Sequence, residues 1–170
     1  MANPTLTLIA SSTVGSGGAS SVTFSSIPAT WTDLLVKAST RSDTSGANLN
    51  VNFNGSTSNY SDRRLYGNGS SAGSDSHSSY PWTTLLEAAD SPSFTSNTFT
   101  NCEIYIPNYT SSNNKSYNID AVSENNGTTA DERLIAGLWG NTSAITQVQL
   151  FGSGNFVQYS TFYLYGIASS

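Results

Sequence analysis

Basic residues are scarce in this chain. Its 170 residues include six Lys and Arg against eleven Asp and Glu, for a net charge of −5. Charged residues make up 10%, where about 25% is usual for a soluble domain. A sequence pI near 4.5 leaves no cationic footprint for nucleic acid. The longest basic run is Arg63-Arg64, and Asp62 stands beside it. Cys102 is the one cysteine, which excludes an internal disulfide. His77 is the one histidine, and without a second histidine or cysteine the usual zinc spacings cannot be met. No apolar run approaches the roughly 20 residues that cross a bilayer, so no membrane partner is expected. The opening Met1-Ala2-Asn3-Pro4-Thr5-Leu6 has neither a basic stretch nor a long apolar one, so no secretory signal is expected. The seven Asn-X-Ser/Thr triplets, beginning at Asn54, Asn59, Asn68, Asn108, Asn114, Asn126 and Asn141, are then expected to stay bare.

What the chain has in quantity is small polar residues. Ser, Thr and Asn account for 68 of the 170 residues, and Leu, Ile, Val and Phe for 34. So little aliphatic material borders on a disordered composition, but disordered chains combine few aromatics with high net charge. This chain has 19 aromatic residues and little net charge. Its length suits one domain, residues 1–170, able to bury a real core without metal or disulfides. Few helix formers and many Thr, Tyr, Val and Phe point to an all-β protein.

Period-2 patterning agrees. Leu49, Val51 and Phe53 alternate with Asn48, Asn50 and Asn52, and Asn54-Gly55 follows as a tight-turn pair because both residues tolerate positive φ. Leu34, Val36 and Ala38 alternate with Leu35, Lys37 and Ser39; Cys102, Ile104 and Ile106 share a face; Tyr117, Ile119 and Ala121 do the same before the turn Asn125-Asn126-Gly127. Gly67 to Ser79 is expected to be a long Ser/Gly loop. About ten short strands result, the pattern of an antiparallel sandwich of jelly-roll type. Two segments, Leu134–Trp139 and Phe162–Ile167, are apolar or aromatic on both faces. A sandwich buries one face of each sheet, so their second faces call for another cover, such as a subunit. The N-terminal stretch 1–18 reads either as a docking arm on its Ser/Gly connector or as an ordinary first strand.

Candidates for chemistry are thin. His77 reads as a solvated loop histidine rather than a base or metal ligand, since no partner motif accompanies it. Cys102, at an alternating strand position, reads as a small buried hydrophobe rather than a nucleophile. Asp131-Glu132 and Asp120 with Glu124 lack a calcium-loop pattern. Gly67, Gly69 and Gly73 lack the Lys-Ser/Thr of a phosphate loop. No catalytic residue, cofactor or metal is expected, and the chain is not read as an enzyme. Trp31, Trp82, Trp139, Tyr163 and Tyr165 are the candidates for an interface or for stacking on a sugar, and each tryptophan reads first as a core or subunit-interface residue.

Several runs carry a resemblance: Phe53-Asn54-Gly55, Asn59-Tyr60-Ser61, Leu65-Tyr66-Gly67-Asn68-Gly69-Ser70, Gly137-Leu138-Trp139, Ala144-Ile145-Thr146, Gly154-Asn155-Phe156 and the ending Ser160-Thr161-Phe162-Tyr163-Leu164-Tyr165-Gly166-Ile167. With Ile27-Pro28, Asp33-Leu34 and Arg41-Ser42, the chain resembles small β-rich virion proteins of tailed bacteriophages along nearly its whole length; Pro81 to Ser93 departs most. The resemblance implies a capsid decoration (cement) protein on the outer surface of the virion. Such a protein assembles in the host cytoplasm, bridges and stabilises major capsid protein subunits, and self-associates as a homotrimer. The alternative it implies is a tail-fibre or tail-tip domain that recognises host surface glycan.

Overall fold

The computed structural model describes residues 5–87, 89–123 and 130–168. Among these residues the chain forms twelve strands and no helix: β1 (Leu6–Thr13), β2 (Ala19–Phe24), β3 (Asp33–Thr40), β4 (Leu49–Phe53), β5 (Tyr60–Gly67), β6 (Ala72–Tyr80), β7 (Thr83–Leu86), β8 (Thr100–Ile106), β9 (Lys115–Ser123), β10 (Asp131–Trp139), β11 (Val148–Phe156) and β12 (Thr161–Ile167). They make two antiparallel sheets of unequal size. The larger has the order β1-β12-β3-β8-β9-β10-β5-β6, and the smaller β2-β11-β4-β7. The turn expected at Asn125-Asn126-Gly127, Glu124 and the first four residues of the N-terminal stretch lie outside the described residues.

The alternation read from the sequence becomes the core. Leu34, Val36 and Ala38 of β3, Cys102, Ile104 and Ile106 of β8, and Tyr117, Ile119 and Ala121 of β9 face inward with Phe162 and Leu164 of β12. Against them the smaller sheet sets Val22 and Phe24, Leu49, Val51 and Phe53, Leu85 and Leu86, and Val148 and Leu150. Phe53 sits in an aromatic group, 5.2 Å from the Tyr117 ring, 5.8 Å from Trp139 and 6.1 Å from Tyr60. Gly137 and Gly166 allow close approach, since a Cβ at either would run into the rings of Tyr117 and Trp31 respectively. A scarce aliphatic supply is thus supplemented by aromatic rings, each of which buries roughly 150–250 Å².

The Asn54-Gly55 pair does more than turn a hairpin. Both residues have positive φ, 53° and 65°, and Ser56 N–H donates to Phe53 O across 2.9 Å. The strands it joins, β4 and β5, belong to different sheets, so this turn carries the chain over the edge of the core. Of the two readings of the N-terminal stretch, Leu6–Thr13 forms the strand, paired with β12 from Leu6↔Ile167 to Thr13↔Thr161.

One expectation is corrected. Gly67–Ser79 is not a long loop: Asn68 to Ser71 makes a tight turn, and Ala72–Tyr80 returns as β6, paired with β5 from Gly67↔Ala72 to Asp62↔His77. Serine-rich sequence hid the strand because an edge strand with one sheet neighbour needs few apolar side chains. Backbone pairing supplies the order there.

Candidate interaction surface

The outward face of the eight-stranded sheet is wide and only partly polar. Cross-strand register sets one row across it, running Ser74, Leu65, Leu134, Asp120, Glu103, Lys37, Tyr163 and Ser11. The next row runs Ser76, Arg63, Ala136, Asn118, Tyr105, Leu35, Tyr165 and Leu8. Between these rows, on β5, β6, β9 and β10, lies a shallow depression of about 840 Å³. Leu65, Leu134 and Ala136 form its floor, and Arg63, Asn118, Asp120, Glu103, Ser74 and Ser76 surround it.

The floor is open to solvent. Leu65 is 61% exposed and Leu134 47%; Leu138, farther along β10 and outside the depression, is 39% exposed. Leu134 and Leu138 are the second apolar face read from the sequence of β10, and register brings Leu65 of β5 directly opposite Leu134. The charges around the floor are of both signs. Lys37 Nζ lies 2.8 Å from Glu103, whose hydrogen bond and charge hold the ammonium pKa above its ordinary value. Asp33 takes the Tyr105 hydroxyl at 2.7 Å and the Asn108 N–H at 2.8 Å, and that contact pushes the Tyr105 phenol up.

On the inward side of the same strands the chain buries charge. Arg64 donates from Nε and Nη2 to both oxygens of Asp62, at 2.9 and 3.0 Å. It also reaches Glu87 at 3.4 Å, and Glu87 in turn takes Arg133 at 3.2 Å. Asp62 further meets His77 Nδ1 at 3.0 Å, and the His77 ring lies 4.5 Å from the Tyr80 ring. His77 is therefore not a solvated loop histidine. It is a strand residue held against a buried carboxylate, and sequence reading missed it because Asp62 lies fifteen positions away and becomes its neighbour only through β5–β6 pairing. Cys102 is buried, and burial pushes its thiol up to about 12. A thiol so shifted stays protonated at neutral pH and is a poor nucleophile. Among the described residues no group of three or more His, Cys, Asp or Glu could hold a metal ion.

The five residues singled out from the sequence do not converge. Tyr163 and Tyr165 lie together on the outward face of β12, their rings stacked at 6.4 Å. Trp31 is half-buried against the core over Gly166. Trp82 is half-buried and meets Phe151 edge-on at 5.4 Å, next to the smaller sheet. Trp139 is a core residue, and its Nε1 donates to Ser56 Oγ at 3.2 Å. A tryptophan this deep presents no face to a partner or a sugar.

No protein-family model matches the chain. No curated protein matches it either. Among solved structures, the CBM2 module of the evolved Dit of Lactobacillus casei BL23 phage J-1 is similar at 9% identity. The match covers 88% of this chain and 69% of that one, at a TM-score of 0.20. A likeness this slight fixes neither fold nor role.

Proposed function

We propose that this chain is a structural protein of a tailed-phage virion, a capsid decoration protein that docks on the major capsid protein through the outward face of its eight-stranded sheet. The observation that carries the reading is the set of exposed leucines on that face: Leu65 and Leu134 in the depression, with charges of both signs around them, and Leu138 farther along β10. Branched aliphatic side chains seat apolar protein groups. A sugar ring prefers a flat aromatic platform, and none lies in the depression. Burying three half-exposed leucines contributes roughly 3 kcal/mol, or about a hundredfold in affinity. The bridge stabilises the assembled shell and not its separated parts, as any ligand selective for one state does.

The test uses particles prepared with the wild-type chain, without it, or with Leu134→Asp. The expected result is lower heat stability both without the chain and with the variant, and unchanged adsorption to host cells. Because burial rather than charge attraction drives docking, wild-type binding should change little between low and moderate salt. Unchanged heat stability together with lost adsorption would overturn the reading. It would favour the glycan-binding tail alternative, for which the Tyr163–Tyr165 pair is the available platform.

A further inference from the structure

In an Asn-Gly pair the glycine puts no side chain in the way of its own backbone nitrogen, and that nitrogen can attack the preceding carboxamide. The chain has three such pairs, Asn54-Gly55, Asn68-Gly69 and Asn126-Gly127. The third lies outside the described residues. The other two are held in opposite ways.

Asn54 is tied at both ends of its carboxamide to a segment distant in sequence. Its Oδ1 accepts the Thr146 and Gln147 N–H groups at 2.8 and 3.0 Å, and its Nδ2 donates to Ala144 O at 2.8 Å. Its Cγ reaches the Gly55 nitrogen only after these bonds break. Asn68 bonds within its own turn instead. Its Oδ1 accepts the Ser70 N–H at 3.0 Å, the Ser71 N–H at 2.9 Å and the Ser71 hydroxyl at 3.2 Å. These donors lie two and three residues on, so they draw the carboxamide over the peptide that carries the Gly69 nitrogen. Among the described residues neither Asn68 Nδ2 nor the Gly69 N–H has a hydrogen-bond partner. Gly69 is exposed.

We propose that Asn68 is a site of spontaneous covalent modification, closing on Gly69 to a succinimide and reopening as aspartate or isoaspartate, while Asn54 stays intact. In the first step the Gly69 nitrogen bonds to Asn68 Cγ, and the Cγ–Nδ2 bond breaks. The proton lost from the Gly69 amide leaves with Nδ2 as ammonia. Negative charge develops on Oδ1 as the ring closes, and the Ser70 and Ser71 N–H groups already point at that oxygen, the arrangement that stabilises an oxyanion. Water then adds to one of the two imide carbonyls. Opening at Cγ gives aspartate, and opening at the main-chain carbonyl gives isoaspartate. The sum is one water consumed and one ammonia released.

The products differ in their effect. Aspartate keeps an acceptor for Ser70 and Ser71 and adds one negative charge. Isoaspartate inserts a methylene into the main chain within the turn that sets Gly67 opposite Ala72. β6 has β5 as its sheet neighbour and no strand beyond it, so it loses order from the Ala72 end.

The test is prolonged incubation of the purified full chain at mildly alkaline pH, folded and in urea, followed by peptide mass mapping. In the folded chain Asn68 should be converted about tenfold or more faster than Asn54, since three hydrogen bonds hold the latter. In urea the two rates should converge. In the isoaspartate fraction, amide protection of β6 should fall while β9–β10 keeps its protection. Equal rates in the folded chain, or a rate ratio no greater than that in urea, would overturn the proposal. An isoaspartate chain with β6 fully protected would overturn its consequence for the edge strand. The assay needs only the purified chain, so its failure leaves the leucine face, read out by virion heat stability, untouched.

Discussion

Tyr60 shows how a single polar atom is handled in this core. Its ring is fully buried and stacked on Trp139 at 6.2 Å, yet its hydroxyl accepts the Phe53 N–H at 2.8 Å. Removing that oxygen leaves a buried backbone donor without its partner. Tyr60→Phe should therefore cost about 1–3 kcal/mol, read as a lower urea midpoint at unchanged slope. Burial also pushes the phenol up to about 12 from an ordinary value of 10.0. The folded state holds the proton that the unfolded chain gives up first. The stability from this group is therefore complete below pH 10 and is lost as pH rises toward about 12. Urea midpoints measured across that window should fall in the wild type and fall less in Tyr60→Phe.

At the scale of elements, loops are held by side chains that reach far along the sequence. Asn54, at the turn between β4 and β5, accepts the N–H groups of Thr146 and Gln147 at 2.8 and 3.0 Å and donates to Ala144 O at 2.8 Å. Arg41, just past β3, organises the segment before β8. Its Nη1 donates to Thr95 O and Thr98 O at 2.9 Å each, and its Nη2 to Ser91 O at 2.6 Å. A planar fork with several fixed donors suits this task, and a lysine ammonium cannot reproduce it. Arg41→Ala and Arg41→Lys should both loosen residues 91–98. Amide protection there should fall by about tenfold or more while the β9–β10 pairing keeps its protection. Equal loss in both regions would mean that Arg41 supports the whole fold instead.

For the whole molecule, the decisive fact is that the first strand pairs with the last, and β12 lies between β1 and β3. No subset of the chain completes the larger sheet. Non-local pairing of this kind is slow because loop closure precedes the contacts that reward it. Refolding from urea should therefore take milliseconds to seconds, as a stopped-flow fluorescence signal. Deleting residues 1–13 bares the edge of β12 and should lower stability and raise aggregation. A deletion variant as stable and soluble as the full chain would show that β1 is dispensable.

Strand identity was legible from the chain alone wherever one face is buried, because period-2 alternation at Leu49/Val51/Phe53 or Cys102/Ile104/Ile106 is local information. The two-faced character of Leu134–Trp139 was legible too, and it marked two of the three exposed leucines on that face. What the order of residues could not say is which strands become neighbours. Leu65 meets Leu134, and Asp62 meets His77, only because β5 stands between β10 and β6. β6 itself was invisible, since an edge strand held by backbone hydrogen bonds leaves no apolar period. The residue order leaves Trp139 open between core and interface, and its place in the core depends on Phe53 and Tyr60 arriving from two other strands. Local alternation determined the β class of this protein, and long-range register alone decided its surface.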